Sequence, residues 1–236
     1  MNPAADKDIR VAIVDNSIAP AVYKPVEHWA AFLQVPFASF RAPEGRLPNL
    51  EKDFTHLILT GSETSIVERE DWVDSEVEFV RDALSRNFPT LGSCYGHQLL
   101  ALALCGPAHV RRCSRPEIGW YPIAIRRKSG LLGEKGVVYA FSSHFDEVID
   151  LDESFQVLAS TPDCPVQAFE LKGRPVWGIQ FHPEIDIPAA REYLRNLVDL
   201  GLKTSDLFAE ALRLNPQDSG LIRSIVRHFL GVTRVR

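Results

Sequence analysis

Residues 88–100, Phe-Pro-Thr-Leu-Gly-Ser-Cys-Tyr-Gly-His-Gln-Leu-Leu, constrain the fold of this chain more than any other stretch. A short apolar run ends at Gly92. From Tyr95 a helical apolar pattern passes through Leu99, Leu100, Leu102 and Ala103 to Leu104 and stops at Gly106-Pro107. Cys94 therefore falls at a strand-to-helix corner, the nucleophile elbow, in which a strained turn lifts a nucleophile into the open while strand and helix hold its backbone. Gly92 and Gly96 flank it two residues to either side, where a side chain would collide with the neighbouring strand or helix. The helix N-terminus, with free N–H groups and a favourable dipole, stabilises a thiolate there. A merely buried small thiol is the bland alternative, and glycines at that spacing argue against it.

The chain before this corner alternates strand and helix. Buried strands are predicted at residues 9–15, 37–40 and 55–60, and helices at 26–33 and 71–86, the latter from Val73, Val77, Val80 and Leu84 at helical spacing. Such alternation implies a parallel sheet with crossovers, whose ligands collect at C-terminal strand ends, where Asn16, Gly61 and Cys94 lie. From 108 to 170 the pattern changes to strand after strand, at 118–126, 137–141, 147–149, 156–159 and 166–171, separated by turn-rich pieces. A last buried run, 176–181, ends in His182-Pro183-Glu184, and helices follow at 188–200, 205–214 and 219–230. The expected architecture is an α/β fold with an open, mostly parallel central sheet flanked by helices and an appended antiparallel strand set. At 236 residues it is expected to be one domain, 1–236.

Composition narrows the function. A formal net charge of −5 provides no field for holding phosphate backbones, so nucleic acid is not an expected partner. Residues 1–8 contain no apolar core of the signal-peptide kind, and no apolar run is long enough to span a bilayer, so a cytoplasmic protein without a membrane partner is expected. The four cysteines, Cys94, Cys105, Cys113 and Cys164, show neither Cys-x-x-Cys spacing nor a His-rich partner cluster. Neither a metal site nor a disulfide framework is signalled, and no cofactor is expected.

A cysteine nucleophile needs a base and a group that orients the base. Of the seven histidines, His182 has the best context, just past a strand end with Glu184 two positions on, across a stiffening proline. His144, with Asp146 near it, is the runner-up, whereas His97 points away from the pocket or packs. The tetrahedral oxyanion wants two backbone N–H donors. In an elbow one comes from the residue after the nucleophile, here Tyr95. Gly61 suits the second, because glycine lets the backbone approach a substrate, and equally suits a plain strand-ending turn.

Gly92-Ser93-Cys94-Tyr95-Gly96-His97-Gln98 together with His182-Pro183-Glu184 resembles the class I (triad) glutamine amidotransferases, which have a flavodoxin-like α/β fold. The similarity is greatest to free-standing members akin to the amidotransferase domain of GMP synthase. Thr60-Gly61-Ser62, Glu117-Ile118-Gly119-Trp120, residues 143–148 and residues 178–181 fall where related members carry similar segments. The resemblance implies that Cys94 attacks the side-chain amide of glutamine, that His182 protonates the departing ammonia and then activates water, and that Glu184 orients His182. It implies that Gln98, the backbone around Gly119 and the Ser142-Ser143-His144 loop hold the glutamyl group. Many synthase-linked members carry a second glycine and a proline in the oxyanion loop, where this chain has Gly61-Ser62-Glu63. No synthetase domain is evident, so an acceptor of ammonia would belong to another polypeptide, a separate synthetase subunit, or not exist. The substrate is then L-glutamine or, in a γ-glutamyl peptidase of the same neighbourhood, another γ-glutamyl compound. A redox-sensing or chaperone-like protein with an elbow cysteine is the third reading, and it would lack a matching His182 and Glu184.

Overall fold

A computed structural model describes residues 9–51 and 54–233; the N-terminal stretch 1–8 lies outside the described residues. The strands are β1 (Val11–Asp15), β2 (Phe37–Arg41), β3 (His56–Leu59), β4 (Thr90–Ser93), β5 (Val110–Ile125), β6 (Gly136–Val148), β7 (Phe155–Ser160), β8 (Ala168–Leu171) and β9 (Val176–Ile179). The helices are α1 (Pro25–Ala30), α2 (Val73–Ser85), α3 (Tyr95–Cys105), α4 (Ile187–Asp199), α5 (Ser205–Arg213) and α6 (Ile222–Leu230).

All nine strands form one sheet in the order β2-β1-β3-β4-β9-β8-β7-β5-β6. The pairings from β2 to β9 are parallel and those from β9 to β6 antiparallel. The expected mostly parallel sheet is thus mixed, parallel through one half only. Its antiparallel set hydrogen-bonds directly onto the parallel one, because β9 pairs with β4 on one side and β8 on the other.

The β-branched run of β1 is buried throughout, with alternate residues serving opposite layers. Ala12 and Val14 join Leu57 and Leu59 beneath α2 and α3, whereas Val11 and Ile13 join Ile58 and Leu91 against Trp29 of α1 and Ile225 and Phe229 of α6. A third apolar cluster packs α4 and α5 on Ile118, Trp120 and Phe141 of the antiparallel half. Asp186 caps α4, its Oδ1 accepting from the Ala189 N–H at 2.9 Å, so the chain turns into helix directly after Glu184.

Several element bounds differ from expectation. The strands predicted at 137–141 and 147–149 are one, β6, since between them the alternate polar residues Ser142, His144 and Asp146 are the buried ones and so break the apolar alternation. Likewise β5 begins at Val110, eight residues before the predicted start, and is irregular between Arg112 and Glu117. The first helix is one short segment of six residues, and α6 begins at Ile222 rather than 219. Among the described residues no helix is long and apolar enough to cross a membrane.

Candidate active site

Cys94 sits between β4 and α3 with φ 50° and ψ −105°, a left-handed-side conformation that an L residue adopts only when its surroundings hold it there. They do so from both flanks. The Cys94 N–H donates to Ile179 O of β9 at 2.8 Å, and the Gly96 N–H to Thr60 O, just past β3, at 3.0 Å. The flanking glycines are required by contact: a Cβ on Gly92 would lie 2.4 Å from Gly96 O, and one on Gly96 2.2 Å from Leu59 O. Tyr95 opens α3, so its N–H is one of those that a helix leaves without a carbonyl.

His182 reaches the same place from the adjacent strand, β9, which pairs with β4. After β9 ends at Ile179 the chain bridges to β6, the His182 N–H donating to Phe141 O at 2.8 Å. Its Nδ1 lies 2.8 Å from Glu184 Oε1, and that carboxylate also accepts from Ser93 Oγ at 3.3 Å and Tyr23 OH at 3.4 Å. Burial opposes the imidazolium, but Glu184 and the adjacent Cys94 outweigh it and push His182 up to about 10. The edge of the Tyr23 ring packs on His182, with its phenol held well above the usual range by burial and by Glu184. The Cys94 thiol itself donates to Ser143 O at 3.8 Å.

A cavity of about 290 Å³ opens over Cys94. One wall is polar, formed by the loop after β3 with Ser62 and Glu63, by Gln98, and by Arg112 and Asp146; the other is apolar, with Tyr193, Leu197, Leu202 and Phe208 from the α4–α5 region.

The site residues named above distribute unevenly. Gln98 and Tyr95 line the cavity, and the Gln98 amide donates to Asp146 O at 2.8 Å and Gln180 Oε1 at 3.1 Å. Gly61 lies against the candidate catalytic imidazole: a Cβ there would come 2.9 Å from His182 Cε1 and 2.8 Å from Tyr23 OH. Ser143 and His144 line the cavity, whereas Gly119 and Ser142 do not. Gly119, at φ 119°, lies under α5, where a Cβ would be 2.9 Å from Leu214 Cδ1. His144 is not free to act as a base. Its Nε2 pairs with buried Glu117 at 2.9 Å and its Nδ1 lies 3.0 Å from Asp146 O, while the Asp146 carboxylate instead takes Ser65 Oγ at 2.6 Å and the Ile66 N–H at 3.1 Å. His97 packs, its fully buried ring 4.8 Å from that of Phe169 and its basicity cut to about 3 by burial.

Tyr23, Ser93, Arg112 and Tyr193 were not anticipated. Ser93 alone carried a signal, since on a strand it points opposite to its neighbours and so towards the Glu184 side. Among the described residues no group of three or more His, Cys, Asp or Glu is arranged to hold a metal ion.

Residues 29–199 match the family model described as glutamine amidotransferase class-I. The chain is 35% identical over 135 residues to a subunit of the glutamine-hydrolyzing GMP synthase of Sulfolobus acidocaldarius, covering 57% of this chain and 69% of that one. To the corresponding subunit of Thermoplasma acidophilum it is 32% identical over 146 residues, 61% of this chain and 70% of the relative. Among solved structures, a glutamine amidotransferase from Thermotoga maritima superposes with a TM-score of 0.72, at 21% identity and over 95% of this chain and 99% of the other, a likeness of fold.

Proposed function

As the chain belongs to the class-I glutamine amidotransferase family, we propose that it hydrolyses the side-chain amide of glutamine to glutamate and ammonia through a γ-glutamyl thioester on Cys94. The observation that carries this reading is Cys94 on an elbow whose strain is held by β9 and β3, with the buried His182–Glu184 pair near enough to the sulfur to be affected by it.

In the proposed sequence Cys94 gives its proton to His182, and the sulfur attacks the amide carbon. The oxyanion that forms takes the Tyr95 N–H and a donor from the Gly61 loop. The imidazolium, held by Glu184, passes its proton to the nitrogen as the carbon–nitrogen bond breaks and ammonia leaves. Water then gives a proton to His182 as its oxygen bonds to the acyl carbon; the carbon–sulfur bond breaks, His182 returns the proton to the sulfur, and glutamate leaves. The glutamyl group lies between Gln98 and the Ser143-His144 edge, with Gly119 and Ser142 supporting that edge from behind rather than touching substrate. The relatives are subunits of GMP synthase, and we extend to this chain a separate synthetase that would consume the ammonia. One domain, 1–236, suffices for the hydrolytic half.

A second reading has its own support. The apolar wall of Tyr193, Leu197, Leu202 and Phe208 faces a cavity whose leaving group, for glutamine, is only ammonia. A γ-glutamyl peptide would use that wall for its second residue. Purified protein given L-glutamine and a set of γ-glutamyl peptides and amines, with ammonia, glutamate and acyl-enzyme mass followed together, separates the two readings. No turnover of any of them would refute both.

A further inference from the structure

Arg112 stands apart from the other residues around Cys94. It is the one Lys or Arg among the described residues lining the cavity, and its side chain is half-exposed. It sits on β5 directly across from Asp146 of β6, and immediately after it the pairing of the two strands becomes irregular, up to Glu117. Irregularities of this sort re-aim a side chain and recur beside active sites. The guanidinium is also held in place by carboxylates. Asp146 is buried and fastened by Ser65 and the Ile66 N–H, and its Oδ1 lies 3.2 Å from one Arg112 nitrogen, while exposed Glu68 takes another. An arginine carries five N–H donors, so two carboxylates leave donors to spare. Its planar fork fits a further carboxylate in a way that a lysine ammonium does not.

A γ-glutamyl substrate whose amide carbon meets Cys94 must place its remaining atoms in this same cavity, and those atoms end in an α-carboxylate. We infer that Arg112 is a specificity-determining residue that binds the α-carboxylate of the γ-glutamyl group, with Asp146 as the positioning residue that holds the guanidinium. The inference rests on the hydrolytic reading above. It assigns Asp146 a task other than orienting His144, which agrees with its carboxylate contacts.

The test compares L-glutamine with 4-aminobutanamide, which is glutamine without its carboxylate, in the wild-type protein and in Arg112→Gln and Arg112→Lys. A charge-assisted hydrogen-bonded pair lost from a partly desolvated site corresponds to about 10- to 100-fold. The preference for glutamine, as a ratio of kcat/KM values, is expected to fall by that factor in Arg112→Gln, mostly through KM, and by less in Arg112→Lys. Where 4-aminobutanamide turns over slowly, its inhibition constant against glutamine supplies the same comparison. Thermal unfolding of each variant separates folding from recognition, and Arg112→Lys, which keeps the charge beside Asp146, serves if Arg112→Gln does not fold. Equal losses on both compounds would assign Arg112 a structural role, and an unchanged ratio would overturn the inference while leaving hydrolysis standing. A loss confined to γ-glutamylglycine, with γ-glutamyl methylamide unaffected, would move the carboxylate to the leaving group and overturn the assignment too. Wild-type protein inert towards every γ-glutamyl compound would remove the hydrolytic reading and this inference together.

Discussion

His182 Nδ1 lies 2.8 Å from Glu184 Oε1 with both side chains buried, and in the proposed reaction this pairing leaves the other ring nitrogen for Cys94. Removing the nucleophile or the base, by Cys94→Ala or His182→Ala, is expected to lower kcat by about 10⁴-fold or more. Glu184→Gln keeps the shape and is expected to cost about 10²-fold. The pH dependence discriminates further. Against the effect of burial, Glu184 and Cys94 raise His182 to about 10, so on the proposed mechanism the imidazolium that would protonate ammonia is lost, and kcat is expected to fall, as pH rises through that value. In Glu184→Gln the same fall should occur at lower pH. An alkaline limb that does not move would separate Glu184 from His182.

Gly61 is the position at which one methyl group would test geometry alone. Its added Cβ would press on His182 Cε1 and Tyr23 OH, both ends of side chains rather than backbone. Gly61→Ala is therefore expected to fold normally and to lose about 10²-fold in kcat/KM through displacement of the imidazole. Hydrolysis assays beside circular dichroism check this, and unaltered activity would show that the loop has slack.

Gly96 makes the opposite prediction. Its Cβ would meet backbone, Leu59 O at 2.2 Å, which cannot swing aside. Gly96→Ala should destabilise the fold by about 1–3 kcal/mol, read as a lower denaturant midpoint, even in protein already carrying Cys94→Ala.

Glu76, on α2, is fully buried, with the Asn16 side chain as the polar group that acts on its carboxylate. Burial lifts it from 4.5 to about 8, with a smaller opposing effect from Asn16. Below pH 4.5 the group is protonated in both folded and unfolded chains. Between 4.5 and 8 the unfolded chain releases the proton and the folded one keeps it, so stability from this group declines as pH rises. Glu76→Gln should match wild type near pH 4.5 and exceed it near pH 8 by on the order of 4 kcal/mol. A constant difference in melting temperature across that range would contradict the burial effect.

The elbow was legible because its pattern is short: Gly92 answers to Gly96 O within the turn itself, and Gly96 to Leu59 O of the neighbouring β3, a close approach that the glycine spacing announces. Strand existence was legible where burial was two-sided, as in β1, and failed in β6, whose middle residues are polar and buried for the sake of the site. His182 stood out in the sequence by its neighbours Pro183 and Glu184. His144 stood out by Asp146, which in the structure turns its backbone carbonyl to that ring and its carboxylate to Ser65 and Arg112. Tyr23, Arg112 and Tyr193 carried no local signal.

By itself the sequence determined the corner that carries Cys94, the alternation of the first half and the His-Pro-Glu turn, since each follows from φ/ψ limits and spacing within a few residues. Tertiary structure alone decided that β9 enters the sheet between β4 and β8, and this delivers His182 and Glu184 to the side of Cys94 and Ser93. Strand order reflects the burial of both faces of the whole sheet at once, a global balance that no single stretch of chain contains.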